Sequence, residues 1–217
     1  MGVLSDNDKA ILAKKFKTEL ADPVQVSLIV SENCNYCDLM KNLLNELYEI
    51  SGNKIIIKIG EMNPVMSKFL GVNKGPVVLI GKKGEVRYTG APLGEEAWAF
   101  IETITIASNK KHGLENYVDD LKSLDRKVRI ETVVTPTCPY CAYAVLTANR
   151  IAIASEGHVI SDVIEAYEFP ELASKWNVTA VPTVVLSVET PYSGNVFTIG
   201  VPKEEQLIRA ILRLGIE

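Results

Sequence analysis

All four cysteines of this 217-residue chain fall into two Cys-X-X-Cys motifs, Cys34-Asn35-Tyr36-Cys37 and Cys138-Pro139-Tyr140-Cys141. The second begins 104 residues after the first, and the residues around it repeat the pattern around the first. A chain duplicated in this way is constrained to build one supersecondary unit twice. Ahead of the motifs lie Val24 to Val30 and Val128 to Val134, short and rich in β-branched residues, which predict strands. Behind Cys37, Leu39, Met40, Leu43, Leu44 and Leu47 recur at intervals of three and four. Behind Cys141, Ala142 to Ala154 contain neither glycine nor proline. Both stretches predict helices.

The correspondence continues downstream. Residues 54–59 and 158–164 are strand-like, and Pro64 to Leu70 and Pro170 to Trp176 read as short helices opened by proline, which has no amide hydrogen to lose in a first turn. Pro76 and Pro182 then lead directly into the strand-like runs Val77 to Ile80 and Thr183 to Leu186. A further strand and a last helix close each half: Glu85 to Thr89 with Glu95 to Ile106, and Asn195 to Ile199 with Lys203 to Leu214. Each half also begins with a helical segment, Asp8 to Leu20 and Leu114 to Leu124. The polar stretch Ser108 to Gly113 marks the boundary, giving units 1–112 and 113–217. The order in each is α-β-α-β-α-β-β-α. A helix between the first two strands demands a parallel crossover, and the closely spaced last two form an antiparallel hairpin. The expected class is α/β, with two mixed central sheets flanked by helices. A linker this short, with apolar residues Trp98 to Ile101 and Leu207-Ile208 on the last helices, predicts halves that pack together.

Composition removes several function classes. Hydrophobic residues at 47% and charged residues at 23% are ordinary globular values. A net charge of −4 without a basic block argues against a nucleic-acid surface. The first residues lack the basic start and apolar stretch of a secretory signal, and no apolar run reaches the length of a membrane span. The expectation is a soluble cytoplasmic protein. In a reducing compartment, paired cysteines are more often catalytic or metal-binding than structural. Two readings follow: two redox dithiols, or four thiolates around a structural zinc. A segment of 104 residues filled with strands and helices between the pairs is unusual for zinc. No Gly-X-Gly-X-X-Gly follows a strand, so electrons for a reductase role come from a partner protein or a small thiol.

Strand, Cys-X-X-Cys, helix, and then a proline at a strand start 39 or 41 residues after the second cysteine resembles the thioredoxin superfamily, and Cys-Pro-Tyr-Cys is its glutaredoxin version. Two intact units in one chain resemble the glutaredoxin-like, tandem thioredoxin-fold protein disulfide oxidoreductases of hyperthermophiles. That resemblance implies reduction, formation or rearrangement of protein disulfides, with no bound cofactor beyond redox-active disulfides Cys34–Cys37 and Cys138–Cys141. It implies Cys34 and Cys138 as nucleophiles, Cys37 and Cys141 as resolving thiols, and cis bonds at Gly75-Pro76 and Val181-Pro182. The implied partners are protein thiols and disulfides and a thioredoxin-reductase-like flavoprotein donor. A dedicated electron carrier between such a reductase and a peroxiredoxin is the alternative within the enzyme class.

A nucleophilic cysteine at a helix start is favoured as thiolate by the unpaired N–H groups there, and a second cysteine one turn on is shielded. Pro139, expected at the first helical position, lacks the N–H that Asn35 offers, so the two sites are expected to differ in potential. Tyr36 and Tyr140 either meet the substrate or pack over their own helices. The buried carboxylate that thioredoxin carries six residues before its first cysteine is replaced by Leu28 and Thr132. Glu61 and Glu165, after the second strand of each half, read as surface charges, His112 and His158 as surface histidines, and Trp98 and Trp176 as core.

Overall fold

The computed structural model describes residues 2–216, which leaves the terminal residue of each expected half outside the description. The first half runs α1 (Asp6–Glu19), β1 (Val24–Val30), α2 (Cys37–Ile50), β2 (Ile55–Glu61), α3 (Pro64–Leu70), β3 (Val77–Ile80), β4 (Val86–Thr89), a 3-10 turn Gly94–Glu96 and α4 (Ala97–Asn109). The second runs through a 3-10 turn Glu115–Tyr117 into α5 (Val118–Lys122), then β5 (Val128–Val134), α6 (Cys141–Ala154), β6 (Val159–Glu165), α7 (Pro170–Lys175), β7 (Thr183–Val188), β8 (Asn195–Ile199) and α8 (Glu204–Ile216). Every element in the expected order is present. Local chemistry sets several ends: Ser5 and Asp8 form a reciprocal capping box on α1, and Asn63 caps α3 ahead of Pro64.

The two expected sheets are one. Strand order is β2-β1-β3-β4-β6-β5-β7-β8, so the edge of the first four-stranded unit is bonded to the edge of the second. β4 pairs parallel with β6, Val86 opposite Ser161 through Thr89 opposite Ile164. Crossover pairs β1/β2 and β5/β6 are parallel, and hairpins β3/β4 and β7/β8 are antiparallel. Only β2 and β8 remain as edges; Ile56 and Ile59 are exposed on β2, and β8 is interrupted by a register shift at Val184/Val185.

Alternation along the strands divides the core between two faces. One face is covered by α1, α2, α4 and α6, whose Leu44, Phe100, Ile104 and Val145 pack on Val26, Leu28, Val86 and Tyr88. Farther along, α5 and α8 cover Val128, Ile130 and Val184. The opposite face is covered more thinly by α3 and α7 through Leu70, Phe169 and Leu172. It also carries buried charge: Asp162 on β6 accepts from Thr89 Oγ1 at 2.7 Å and Tyr192 Oη at 2.9 Å, with Arg87, Arg129 and Glu131 on neighbouring strands.

Helices α4 and α6 pack against each other over the β4–β6 joint. Between them, Asn149 of α6 donates to Tyr88 Oη at 3.0 Å and Thr103 Oγ1 at 2.8 Å, and accepts from Ser161 Oγ at 2.7 Å. All four residues are buried, and they come from both halves. Removing Asn149 leaves Ser161 Oγ without its acceptor and takes one hydrogen bond each from Tyr88 and Thr103, which keep each other and the Ala99 carbonyl as partners. Asn149→Ala is therefore expected to cost about 2–4 kcal/mol from lost packing and unpaired donors and acceptors, read as a lower midpoint in urea unfolding. A change under about 0.5 kcal/mol, the level of an ordinary surface substitution, would show that the network carries no stability.

Candidate functional site

Both motifs occupy the turn between a first strand and the following helix, and both are closed as disulfides, Cys34–Cys37 with Cα atoms 5.5 Å apart and Cys138–Cys141 with 5.4 Å. The helices start later than the sequence suggests. Cys37 and Cys141 are the first helical residues, with Tyr36 and Tyr140 as the caps, so Cys34, Pro139 and Cys138 lie in the preceding turn. The disulfide holds each outer cysteine in the turn at the helix N-terminus, where in the second motif Cys141 N–H donates to Cys138 O at 3.2 Å. Exposure separates the cysteines within each pair. Cys34 is half-buried and Cys37 buried; Cys138 is 7% exposed and Cys141 fully enclosed. The sulfur of the first motif is thus the more accessible of the two outer sulfurs.

Gly75-Pro76 and Val181-Pro182 are both cis. The chain around Gly75 is tight enough that a Cβ there would lie 2.6 Å from the Ile29 carbonyl, and its N–H is taken by Ser31 Oγ at 2.9 Å. Only glycine fits so close to the end of β1. The loop leading to the second motif is pinned from the other half: Glu95 N–H donates to Pro136 O at 2.9 Å, and Gly94, at φ +62°, approaches that carbonyl where a side chain would collide at 2.3 Å.

A cleft of about 320 Å³ opens at this junction, lined by Cys34, Asn35 and Tyr36 of the first motif, Lys74 and Gly75, and Glu165 and Glu168 of the second half. Glu165 is buried, contrary to its reading as a surface charge, because the β4–β6 joint covers the end of β6; it accepts from the backbone N–H groups of Tyr167 at 3.1 Å and Glu168 at 2.6 Å. Glu61 is exposed, as expected. Neither Glu168 nor Glu96 is marked by any spacing in the sequence, yet both belong to this region. Glu168 Oε1 accepts from Ala91 N–H at 2.6 Å. Burial, and next the charge of Glu165, push the Glu168 carboxyl up to about 7. Glu96 is 1% exposed with Oε1 unpartnered, and burial with the charges of Glu165 and Glu168 pushes it up to about 8. Leu28 and Thr132, at the carboxylate-free positions, are fully buried.

The remaining sequence readings divide. Tyr36 and Tyr140 are exposed, Tyr36 in the cleft. Trp98 is 45% exposed, contrary to its reading as core, and stacks edge-on with exposed Tyr143 of α6 at 5.8 Å between ring centroids. Trp176 is partly buried and donates to Gly194 O at 3.1 Å. His112 and His158 are half-buried; His112 Nδ1 accepts from Leu114 N–H at 3.1 Å and His158 Nδ1 lies 3.2 Å from Leu124 O. The zinc alternative has no convergence to rest on: each cysteine pairs within its own motif, and among the described residues no three or more His, Cys, Asp or Glu gather as a metal site. Nor is any described helix long and apolar enough to cross a membrane.

Residues 128–213 match the thioredoxin domain family. A thioredoxin of Methanocaldococcus jannaschii is 34% identical over 85 residues, 39% of this chain and 93% of that protein. A protein disulfide oxidoreductase from Aeropyrum pernix is 32% identical, with a TM-score of 0.84 over 99% of this chain and 95% of its own. An alkyl hydroperoxide reductase chain of Staphylococcus epidermidis is 27% identical over 148 residues, 68% of this chain but only 27% of that relative's length. The alkyl hydroperoxide reductase AhpF of Enterococcus faecalis shares the fold at 20% identity, with a TM-score of 0.80 over 96% of this chain and 99% of its own.

The Glu96 carboxyl gives the site a stability signature. Its folded value lies above its unfolded one, so its contribution is complete below the ordinary carboxylate range and is lost as pH rises through about 8. Between pH 5 and pH 8 the natural chain should lose stability that Glu96→Gln retains, a difference of about 1–3 kcal/mol. Urea midpoints at the two pH values check this; equal slopes for the two proteins would refute it.

Proposed function

Because this chain belongs to the thioredoxin superfamily, as a tandem protein disulfide oxidoreductase that exchanges dithiols for disulfides, we propose that units 1–112 and 113–217 act as two redox centres with divided roles. In each, the outer cysteine, Cys34 or Cys138, attacks a partner disulfide, and Cys37 or Cys141 resolves the mixed disulfide and releases the reduced partner. Run in reverse, the same steps introduce a disulfide. The difference in exposure between half-buried Cys34 and buried Cys37 is the observation that carries this assignment, since an entering sulfur needs an open line of approach and a resolving sulfur does not; Cys138 and Cys141 differ in the same direction, though both are buried.

Further support comes from the surroundings. Tyr36 and Gly75 line the cleft that holds Cys34, and Tyr140 is exposed next to Cys141; we assign them, with Pro76, Val181 and Pro182, as substrate-shaping groups. Protein thiols and disulfides are the substrates. The electron donor is a flavoprotein of the thioredoxin-reductase kind, consistent with a chain that has no dinucleotide fingerprint of its own. Cytoplasmic residence fits cysteines used only in redox pairs.

The half-buried Cys34 should serve bulky disulfides better than Cys138. In insulin-disulfide reduction, Cys34→Ser should remove most turnover, Cys138→Ser a smaller share, and the double variant all of it above the uncatalysed background. Turnover persisting in the double variant would defeat the assignment. Because Asn35 and Pro139 differ beside the attacking sulfurs, the two pairs should also differ in reduction potential by about 30 mV or more, a tenfold difference in equilibrium constant. Redox-buffer titration of each pair, with the other replaced by serine, measures it, and coincident titrations would show that the dipeptides do not separate the centres.

A further inference from the structure

The first centre lies at the junction of the halves, and its cleft contains a carboxyl that the first half does not supply. Cys34, Asn35 and Tyr36 form one wall; Glu165 and Glu168, at and just beyond the end of β6, form the other. Six residues before Cys34, the buried strand carries Leu28 in place of a carboxylate. Among the acids of the junction, position and hydrogen bonding single one out. Glu165 has both oxygens committed to backbone N–H groups. Glu96 is enclosed. Glu168 is half-buried and lines the cleft, and the single bond from Ala91 N–H holds one oxygen and aims the group without saturating it.

We propose that Glu168 of the second half is the general acid–base of the Cys34 centre, moving one proton between Cys34 Sγ and the sulfur that leaves the partner disulfide. The proposal rests on Cys34 being the attacking sulfur. Glu168 as carboxylate takes the Cys34 thiol proton; the thiolate attacks one sulfur of the partner disulfide, forming the Cys34–partner bond and breaking the partner S–S bond. The electron pair of that bond leaves on the second partner sulfur, which takes the proton back from Glu168 and departs as a thiol. Atoms and charge balance without an added reductant, and Glu168 ends as it began.

The charged and titratable groups facing Glu168 are Glu165 on β6, Glu96 on the turn before α4, Lys74 before β3, and Cys34, Tyr36 and Tyr167 around the cleft. Lys74 is drawn off by Glu171 at 3.1 Å and lies over the Phe169 ring, so it only partly offsets the two acids. A carboxyl held near 7 exchanges protons with a thiol at neutral pH most effectively, since donor and acceptor are then matched.

The experiment uses the full chain with Cys138 and Cys141 replaced by serine, so that only Cys34–Cys37 turns over, and compares Glu168, Glu168→Gln and Glu168→Asp in steady-state disulfide reduction across pH 5 to 9. The glutamine oxygen can still accept from Ala91 N–H, so the fold should hold. Expected for Glu168→Gln is a fall of about tenfold or more at neutral pH, loss of the titration near 7 from the rate profile, and partial recovery in Glu168→Asp. Ultraviolet titration of the Cys34 thiolate separates chemistry from charge: removing a nearby anion lowers the Cys34 pKa, so a charge effect alone predicts a rate that is unchanged or higher. In the converse background, with Cys34 and Cys37 as serine, Glu168→Gln should leave turnover by the second pair within about twofold. An unchanged rate and profile in the first background, or an equal loss in both, overturns the proposal. If the first pair with Glu168 intact shows no turnover, the role of Cys34 fails as well, and the two failures are thereby told apart.

Discussion

The backbone ladder between β4 and β6 is the constraint on which the rest of the molecule depends. Four register pairs convert two four-stranded units into a single eight-stranded sheet, and they do so parallel, so the two hairpin-and-crossover halves follow one another in the same sense. Everything placed between the halves is a consequence. α4 meets α6 above the ladder, and Asn149 finds three partners that no single half could give it. Below the other face, Asp162 of β6 takes a hydrogen bond from Thr89 of β4, two residues along from Arg87, the register partner of Asp162 across the same ladder. Partners drawn from both sides offset the cost of burying these polar groups, which makes the joint specific as well as adhesive.

The same ladder brings the end of β6 beside the first motif. Glu96, Glu165 and Glu168 are partly or wholly withdrawn from water there, and burial with the neighbouring charge raises the carboxyls of Glu96 and Glu168 toward neutrality in place of ion pairing. The two centres are consequently unlike in more than their dipeptides. The first opens into an acidic cleft shared between halves; the second is held close by Pro136, whose carbonyl is gripped by the Gly94-Glu95 turn, and its outer sulfur is nearly enclosed. Joining the two four-stranded sets edge to edge places their motifs in unequal surroundings.

Residue pattern reveals the units and not the joint, and the distinction is physical. Strand alternation, proline-opened helices and the cysteine spacing are local, so β1, α2, α3 and their counterparts can be read from windows of a few residues, with α3 and β8 correct to the residue. Pairing between β4 and β6 involves residues more than seventy positions apart, and nothing in Val86 to Thr89 names its neighbour. The errors concentrate there. Glu165 reads as a surface charge because its burial is conferred by the other half, and Trp98 reads as core because its apolar neighbours face the sheet while the indole turns outward to Tyr143. Periodicity behind Cys37 and Cys141 places α2 and α6 correctly, whereas Cys34, Cys138 and Pro139, expected at the helix start, lie in the turn ahead of it that the disulfide closes.

One property of the sheet reaches beyond a single molecule. The joint is heterologous, the last strand of one unit against the second of the next, and β8 and β2 occupy the corresponding positions at the two free ends. By symmetry of construction, the pairing that attaches the second unit to the first, applied again at a free edge, would attach a third. The free edges are therefore where a further copy would add, and the chain has to discourage at its ends what it requires at its middle. The ends bear the marks expected of such discouragement: exposed Lys58 and Glu61 on β2, and a broken register beside β8.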